Sequence, residues 1–246
     1  MERNFKLILC YDGTRYRGWQ RQGNTSDTIQ AKLEALLSRL LGRPVEVHGS
    51  GRTDAGVHAA GQAVSFRADT PKSCGELLSE IRQYLPEDIG ALSLEEVPRE
   101  FHARLSAREK TYVYRVWNSE LPCVFERKYV YVFPRPLDLD AMASAAEALC
   151  GRHDFAAFSA GKKKGRAATR TLYSVEVLRS GAEVRITYTG DGFLYNMARI
   201  MTGTLLEIGA GDRRADDIGR ILSSQTRAEA GFTAPAKGLC LTEVKY

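Results

Sequence analysis

Apolar residues are spaced in two different ways along this chain, and the alternation between them limits what it can fold into. Phe5 to Tyr11 is a near-continuous apolar run closed by Asp12-Gly13, which predicts a buried strand. Ile29, Leu33, Leu36, Leu37 and Leu40 follow the repeat of a helix, with Ser26 or Asp27 placed to cap its start and Gly42 to end it. Short strand-like runs come next, at Val45 to His48 and Ala63 to Phe66. Leu77, Leu78, Ile81 and Leu85 return to helical spacing before Pro86 stops them, and Ala91 to Glu95 reads again as strand. Strands interrupted by single helices in this order point to an α+β fold with helices on one face of a sheet.

Similar elements recur from about Arg99. Lys110 to Asn118 alternates as a strand does, with Tyr112, Tyr114 and Val116 on one face. Leu139, Met142, Ala146 and Leu149 mark a helix ended by Gly151, and Tyr173 to Leu178 with Glu183 to Thr189 reads as a hairpin turning at Ser180-Gly181. A helix is predicted from Leu194 to Ile208, with Leu194, Met197, Met201, Leu205 and Ile208 on its core face. A polar helix near Asp216 to Ser224 and a strand from Leu239 to Tyr246 follow. The chain therefore divides into two α+β halves, residues 1–98 and 99–246, each an antiparallel or mixed sheet with helices on one face.

Composition excludes several classes. Of 246 residues 43% are hydrophobic and 26% charged, which fits a soluble globular protein. No apolar run is long enough to cross a bilayer, and Met1 to Lys6 lacks a signal-peptide core, so no membrane partner is expected. Cys10, Cys74, Cys123, Cys150 and Cys240 are odd in number and scattered, and no histidine stands at zinc-ligand spacing from them. The expectation is a reduced, cytoplasmic protein without a structural metal.

The net charge of +5 says less than its distribution. Arg15-Tyr-Arg-Gly-Trp-Gln-Arg21 interleaves cations with aromatics, and no acid stands between Asp12 and Asp27. Phe155 to Val175 is also free of acids but carries Lys162, Lys163, Lys164, Arg166 and Arg170. Two such segments are either solvated loops or parts of a surface that follows a phosphate backbone, and with the aromatics the second reading is preferred.

Candidate chemistry concentrates in Gly49-Ser-Gly-Arg-Thr-Asp-Ala-Gly-Val57. Asp54 sits in a glycine-rich turn, where an aspartate serves either as a turn former or as a positioned nucleophile. The third glycine of a dinucleotide fingerprint is missing, and Val57-His58 stands where a P-loop needs Lys-Ser/Thr, so nucleoside triphosphate binding is not expected. A carboxylate is already ionised at neutral pH and needs no separate base to act as a nucleophile.

Gly51-Arg-Thr-Asp-Ala-Gly-Val-His58 resembles the active-site motif of the TruA family of tRNA pseudouridine synthases. Further blocks agree in order: Tyr11-Asp-Gly13 with Tyr16, Gly18, Trp19 and Gln20; Phe101-His-Ala-Arg104; Lys110-Thr-Tyr112; Gly192-Phe-Leu-Tyr-Asn-Met197 with Arg199; and Ala234-Pro235 with Gly238-Leu239. Ala236-Lys237 departs from the proline and acid common in the last block. The resemblance implies two related halves forming a continuous sheet with a central basic cleft, a homodimer, and tRNA as partner, with uridines 38, 39 and 40 of the anticodon stem-loop as targets. It implies isomerisation of uridine without a cofactor.

Carried over, the family pattern makes Asp54 the nucleophile and Arg199 its ion-pair partner. Tyr112 would contact the target base and assist proton removal, and Arg52 would help extrude that base from its stack. Phe101, His102, Ala103 and Arg104, with Lys72 and the basic residues Lys162, Lys163, Lys164, Arg166 and Arg170, would bind RNA. His58 and His102 are read as hydrogen-bonding rather than catalytic. The rivals are an RNA-binding protein on the same scaffold that needs no Asp54, and a pseudouridine synthase of this family with another RNA target, such as a different tRNA region.

Overall fold

The computed structural model describes residues 2–161 and 168–246, which form two compact units. Residues 1–108 and 241–246 make the first, and Glu109–Cys240 the second. Each is α+β. The boundary falls at 108/109 rather than 98/99 because residues 99–108 are tied to the first unit. Asn4 Nδ2 donates to the carbonyls of Pro98 and Phe101, and the Ala103 N–H donates to Ser65 Oγ.

The first unit is built on strands β1 (Arg3–Tyr11), β2 (Val47–Gly49), β3 (His58–Ala68) and β4 (Ile89–Val97). β1 lies antiparallel between β4 and β3, and β2 pairs antiparallel with β3. Phe5, Leu7, Leu9 and Tyr11 point inward from alternate positions of β1, and Phe5 stacks on Phe66 of β3 with ring centroids 5.3 Å apart. Each fully buried large side chain of this kind contributes about 1.5–3 kcal/mol.

Helix α1 (Ile29–Leu41) buries Ile29, Leu33, Leu36 and Leu37 and ends at Gly42 in the left-handed region. Its N-cap is Thr28, whose hydroxyl accepts the Ala31 N–H at 3.2 Å, not Ser26 or Asp27. Asp27 is committed elsewhere: its carboxylate pairs with Lys32 and its carbonyl accepts the Arg17 N–H. Helix α2 (Cys74–Tyr84) opens with a reciprocal capping box between Ser73 and Glu76 and stops before Pro86.

The second unit contains β5 (Glu109–Trp117), β6 (Tyr131–Val132), β7 (Gly151–Asp154), β8 (Thr169–Ser180) and β9 (Glu183–Gly190). The order β5-β9-β8-β7 is antiparallel throughout, and β6 adds a short parallel pairing to β5, so the sheet is mixed. Helices α3 (Leu139–Leu149), α4 (Met197–Gly209) and α5 (Asp217–Ser224) complete it. Strand β10 (Leu239–Lys245) leads the chain back into the first unit, where residues 241–245 lie beside β3.

α4 is buried nearly all round, well beyond the apolar face expected of it. Its polar members are satisfied internally. Thr202 donates to the Ala198 carbonyl and accepts from the Tyr188 hydroxyl at 2.8 Å, while Thr204 donates to the Ile200 carbonyl and accepts the Gly231 N–H. The helix starts at Met197 rather than Leu194 because Asn196 adopts a left-handed conformation (φ 61°).

Candidate active site

Asp54 lies in the connection from β2 to β3, and the first unit holds this turn from several sides. The Trp19 N–H donates to the Thr53 carbonyl at 3.0 Å, and the Tyr11 hydroxyl meets Thr53 Oγ1 at 2.8 Å. The Gly56 N–H donates to the Tyr16 carbonyl and the Val57 N–H to that of Asp54 itself. Below the turn, Gln62 accepts from the Ser50 hydroxyl and donates to the Gly51 carbonyl. Gly18 faces this turn with φ 90°, and a Cβ there would fall 2.7 Å from the Thr53 carbonyl oxygen. Only glycine fits that approach.

The result is a rigid loop whose carboxylate residue is half-buried and whose neighbours Arg52 and Ala55 are exposed. Asp54 is thus not sealed beneath aliphatic side chains. His58, just beyond the turn, accepts the Gly13 N–H through Nδ1 at 3.0 Å, the hydrogen-bonding role expected of it. The aromatic block from Tyr11 to Trp19 supplies most of these braces, a function its sequence does not reveal because the contacts are long-range.

The Phe101 to Arg104 segment also belongs to the first unit. Phe101 packs on Tyr246, centroids 4.8 Å apart, and the Tyr246 hydroxyl donates to the Ala103 carbonyl. Ala103 is fully buried, whereas Arg104 is exposed and His102 lies between these extremes. Lys72 precedes α2, where its ammonium pairs with Glu80 at 2.5 Å and its carbonyl accepts from Arg3.

The second unit holds the other expected site residues. Tyr112 on β5 is 7% exposed and meets Phe193 edge to face at 4.9 Å. Tyr114, two residues on, is fully buried and donates to the Pro235 carbonyl at 2.7 Å; burial pushes its hydroxyl pKa well above the usual tyrosine range. Both strand tyrosines are thus buried, Tyr114 completely.

Arg199 projects from α4 and is half-buried. Its Nε donates to the Ala234 carbonyl and its Nη1 to Asn196 Oδ1, each at 2.8 Å, while the Ala234 N–H returns a bond to the Arg199 carbonyl. Residues 231–234 can reach the helix because Gly203 has no side chain: a Cβ there would fall 1.9 Å from the Phe232 carbonyl oxygen. Asn196 and Ala234 hold Arg199 in place, a role that their positions in the matched sequence blocks do not reveal, although Asn196 stands three residues before Arg199, one helical turn away. Arg170, on β8, donates to the Thr169 carbonyl and lies against Gly192. Lys162, Lys163, Lys164 and Arg166 fall outside the described residues.

Among the described residues no group of three or more His, Cys, Asp or Glu side chains could hold a metal ion, and no helix is long and apolar enough to cross a membrane.

Comparison with known proteins supplies the class. The family model described as tRNA pseudouridine synthase matches residues 8–105 and 145–246. A Bacillus sp. (strain KSM-64) protein named tRNA pseudouridine synthase A is 43% identical over 243 residues, 99% of both chains. Bacillus cereus (strain ZK / E33L) tRNA pseudouridine synthase A 2 is 42% identical over the same share. Among solved structures, a chain of a Cbf5-Nop10-Gar1 complex aligns with 96% of this chain at 12% identity and TM-score 0.38, and this chain spans about half (48%) of its length. The class is that of RNA pseudouridine synthases, which are isomerases. Within it, this chain belongs to the tRNA pseudouridine synthase family.

Proposed function

We propose that this protein converts uridine to pseudouridine in the anticodon stem-loop of tRNA, at positions 38, 39 and 40, with Asp54 as nucleophile. The observation that carries the reading is the braced turn presenting a half-buried Asp54 carboxylate, in a chain of this family. The target uridine must first leave its stack, at a cost of about a few kcal/mol. Arg52, exposed beside Asp54, occupies the vacated space and offsets part of that cost.

The Asp54 carboxylate then attacks ribose carbon 1′ and the bond from that carbon to uracil N1 breaks. The freed uracil turns, carbon 5 bonds to carbon 1′, and the carboxylate departs. Carbon 5 loses one proton and N1 gains one, so the product is an isomer and no oxidant or reductant is consumed. Arg199, aligned by Ala234 and Asn196, keeps Asp54 ionised and oriented, and a guanidinium fixed in advance does so without reorganising during the reaction. Tyr112 stacks on the base while its hydroxyl assists removal of the carbon 5 proton.

Arg104, Arg170 and the basic run Lys162, Lys163, Lys164 and Arg166 engage phosphates. Lys72 adds charge near α2, and Phe101 and Ala103 position the segment that carries Arg104. A cytoplasmic homodimer completes the proposal, since two basic surfaces can span an L-shaped RNA larger than either alone.

The test is release of tritium from carbon 5 of labelled uridine in tRNA, followed by mapping of the modified positions. Wild-type release with none from Asp54→Asn is expected; equal release from both would overturn the nucleophile. Product at positions other than 38–40 would reassign the target.

A further inference from the structure

Beside the turn that holds Asp54, the first unit has a groove of about 500 Å³ whose lining includes Gln20, His48, Arg52, His102, Arg104 and Leu105. Val47 of β2 points into the core, so the next residue, His48, points outward and is exposed. Its imidazole stacks on that of His102, centroids 4.7 Å apart and planes 28° apart.

His102 is fixed from behind. Its Nδ1 accepts the N–H groups of Arg104 and Leu105, and its own N–H and carbonyl bond to Ser106. An accepting Nδ1 puts the ring proton on Nε2. Burial, then the neighbouring His48 and nearby Arg104 and Arg67, hold its pKa below the usual histidine value. A ring hydrogen-bonded from behind and stacked under an exposed one is a stacking platform.

The rest of the groove fits the same ligand. Leu105, 80% exposed, offers an apolar edge, and Arg104 an exposed cation. Glu46 is the one carboxylate in the lining and disfavours a phosphate at its end of the groove.

We propose that this groove binds one unstacked nucleotide flanking the uridine to be modified, its base on the exposed face of His48 and its phosphate against Arg104. This rests on the reading of the protein as a tRNA pseudouridine synthase and adds His48 as a substrate-binding residue.

Steady-state kinetics with an unmodified tRNA transcript tests it. Loss of one base stack in His48→Ala is expected to raise KM about tenfold, with the change carried by KM rather than kcat. His48→Phe, which keeps a stacking surface, should restore KM. Arg104→Ala should raise KM and lower the salt slope of binding by about one. An unchanged KM in a folded His48→Ala, or failure of a folded His48→Phe to restore it, overturns the proposal. If the wild type forms no pseudouridine, the underlying reading fails instead. Filter binding of the same transcript then still reads the groove through the affinity lost in His48→Ala.

Discussion

The first unit fixes Asp54 mainly through backbone groups around it, whereas the second fixes Arg199 through the arginine's own guanidinium. At the turn, the carbonyls of Thr53 and Asp54 and the N–H groups of Gly56 and Val57 make the bonds. On α4, two of the guanidinium's donors are taken by Asn196 and Ala234. A group held by its backbone keeps its place when its side chain changes. A group held by its side chain depends on each partner. The first arrangement would suit the nucleophile proposed for Asp54, the second the fixed charge proposed for Arg199.

The contrast is tested most severely at Asp54. Asp54→Asn should lose activity on the order of 10⁴-fold, read as pseudouridine formed per folded molecule, while circular dichroism shows the wild-type fold. Tyr112→Phe comes next: stacking survives but the hydroxyl is gone, so kcat should fall about 10²-fold with KM little changed. Unchanged turnover would exclude proton transfer by Tyr112.

Asn196→Gly removes one partner of Arg199 yet tolerates the left-handed backbone, so kcat should fall about tenfold without a large change in melting temperature. Asn196→Ala should add a loss of stability, of roughly 1–2 kcal/mol, from forcing an ordinary residue into that conformation.

Tyr114→Phe should show the reverse pattern from Tyr112→Phe. Stability drops by about 1 kcal/mol as the half-buried Pro235 carbonyl loses its donor, while activity per folded molecule holds. Thermal melts would register this as about 2–4 °C for each kcal/mol.

The mildest probe of the second unit's reliance on charged partners is acid. Arg115, assisted by Arg185, holds the Glu183 carboxyl down at about 2 against an ordinary 4.5. Because the folded value is the lower one, this stabilisation is complete above the ordinary value and is lost as pH falls from there through about 2. Denaturation at stepped pH should show Glu183→Gln less stable than wild type near neutrality, with the gap narrowing across that window.

Much of this arrangement was readable from residue order, where the signal is local. β1, α1 and the hairpin of β8 and β9 follow apolar period, and glycine and aspartate mark the turn that holds Asp54. What escaped depends on partners distant in sequence. β3 begins at His58, ahead of its apolar run, because Ala59 and Gln62 pair with Tyr11 and Leu9 of β1. The two-residue parallel strand β6 leaves no periodic trace at all. Asp54, Tyr112 and Arg199 were singled out by resemblance alone, whereas the Ala234 carbonyl that holds Arg199 and the Tyr11 hydroxyl that braces Thr53 take those parts only after folding.

The return of residues 241–246 to the first unit has a consequence during vectorial synthesis. The segment that starts the chain leaves the ribosome long before the strand that borders β3. At about 5–20 residues per second the wait is on the order of ten seconds. The contiguous stretch made in between can mature first. Strand β3, which follows the Asp54 turn, therefore gains its β10 neighbour only after the rest of the first unit has been made.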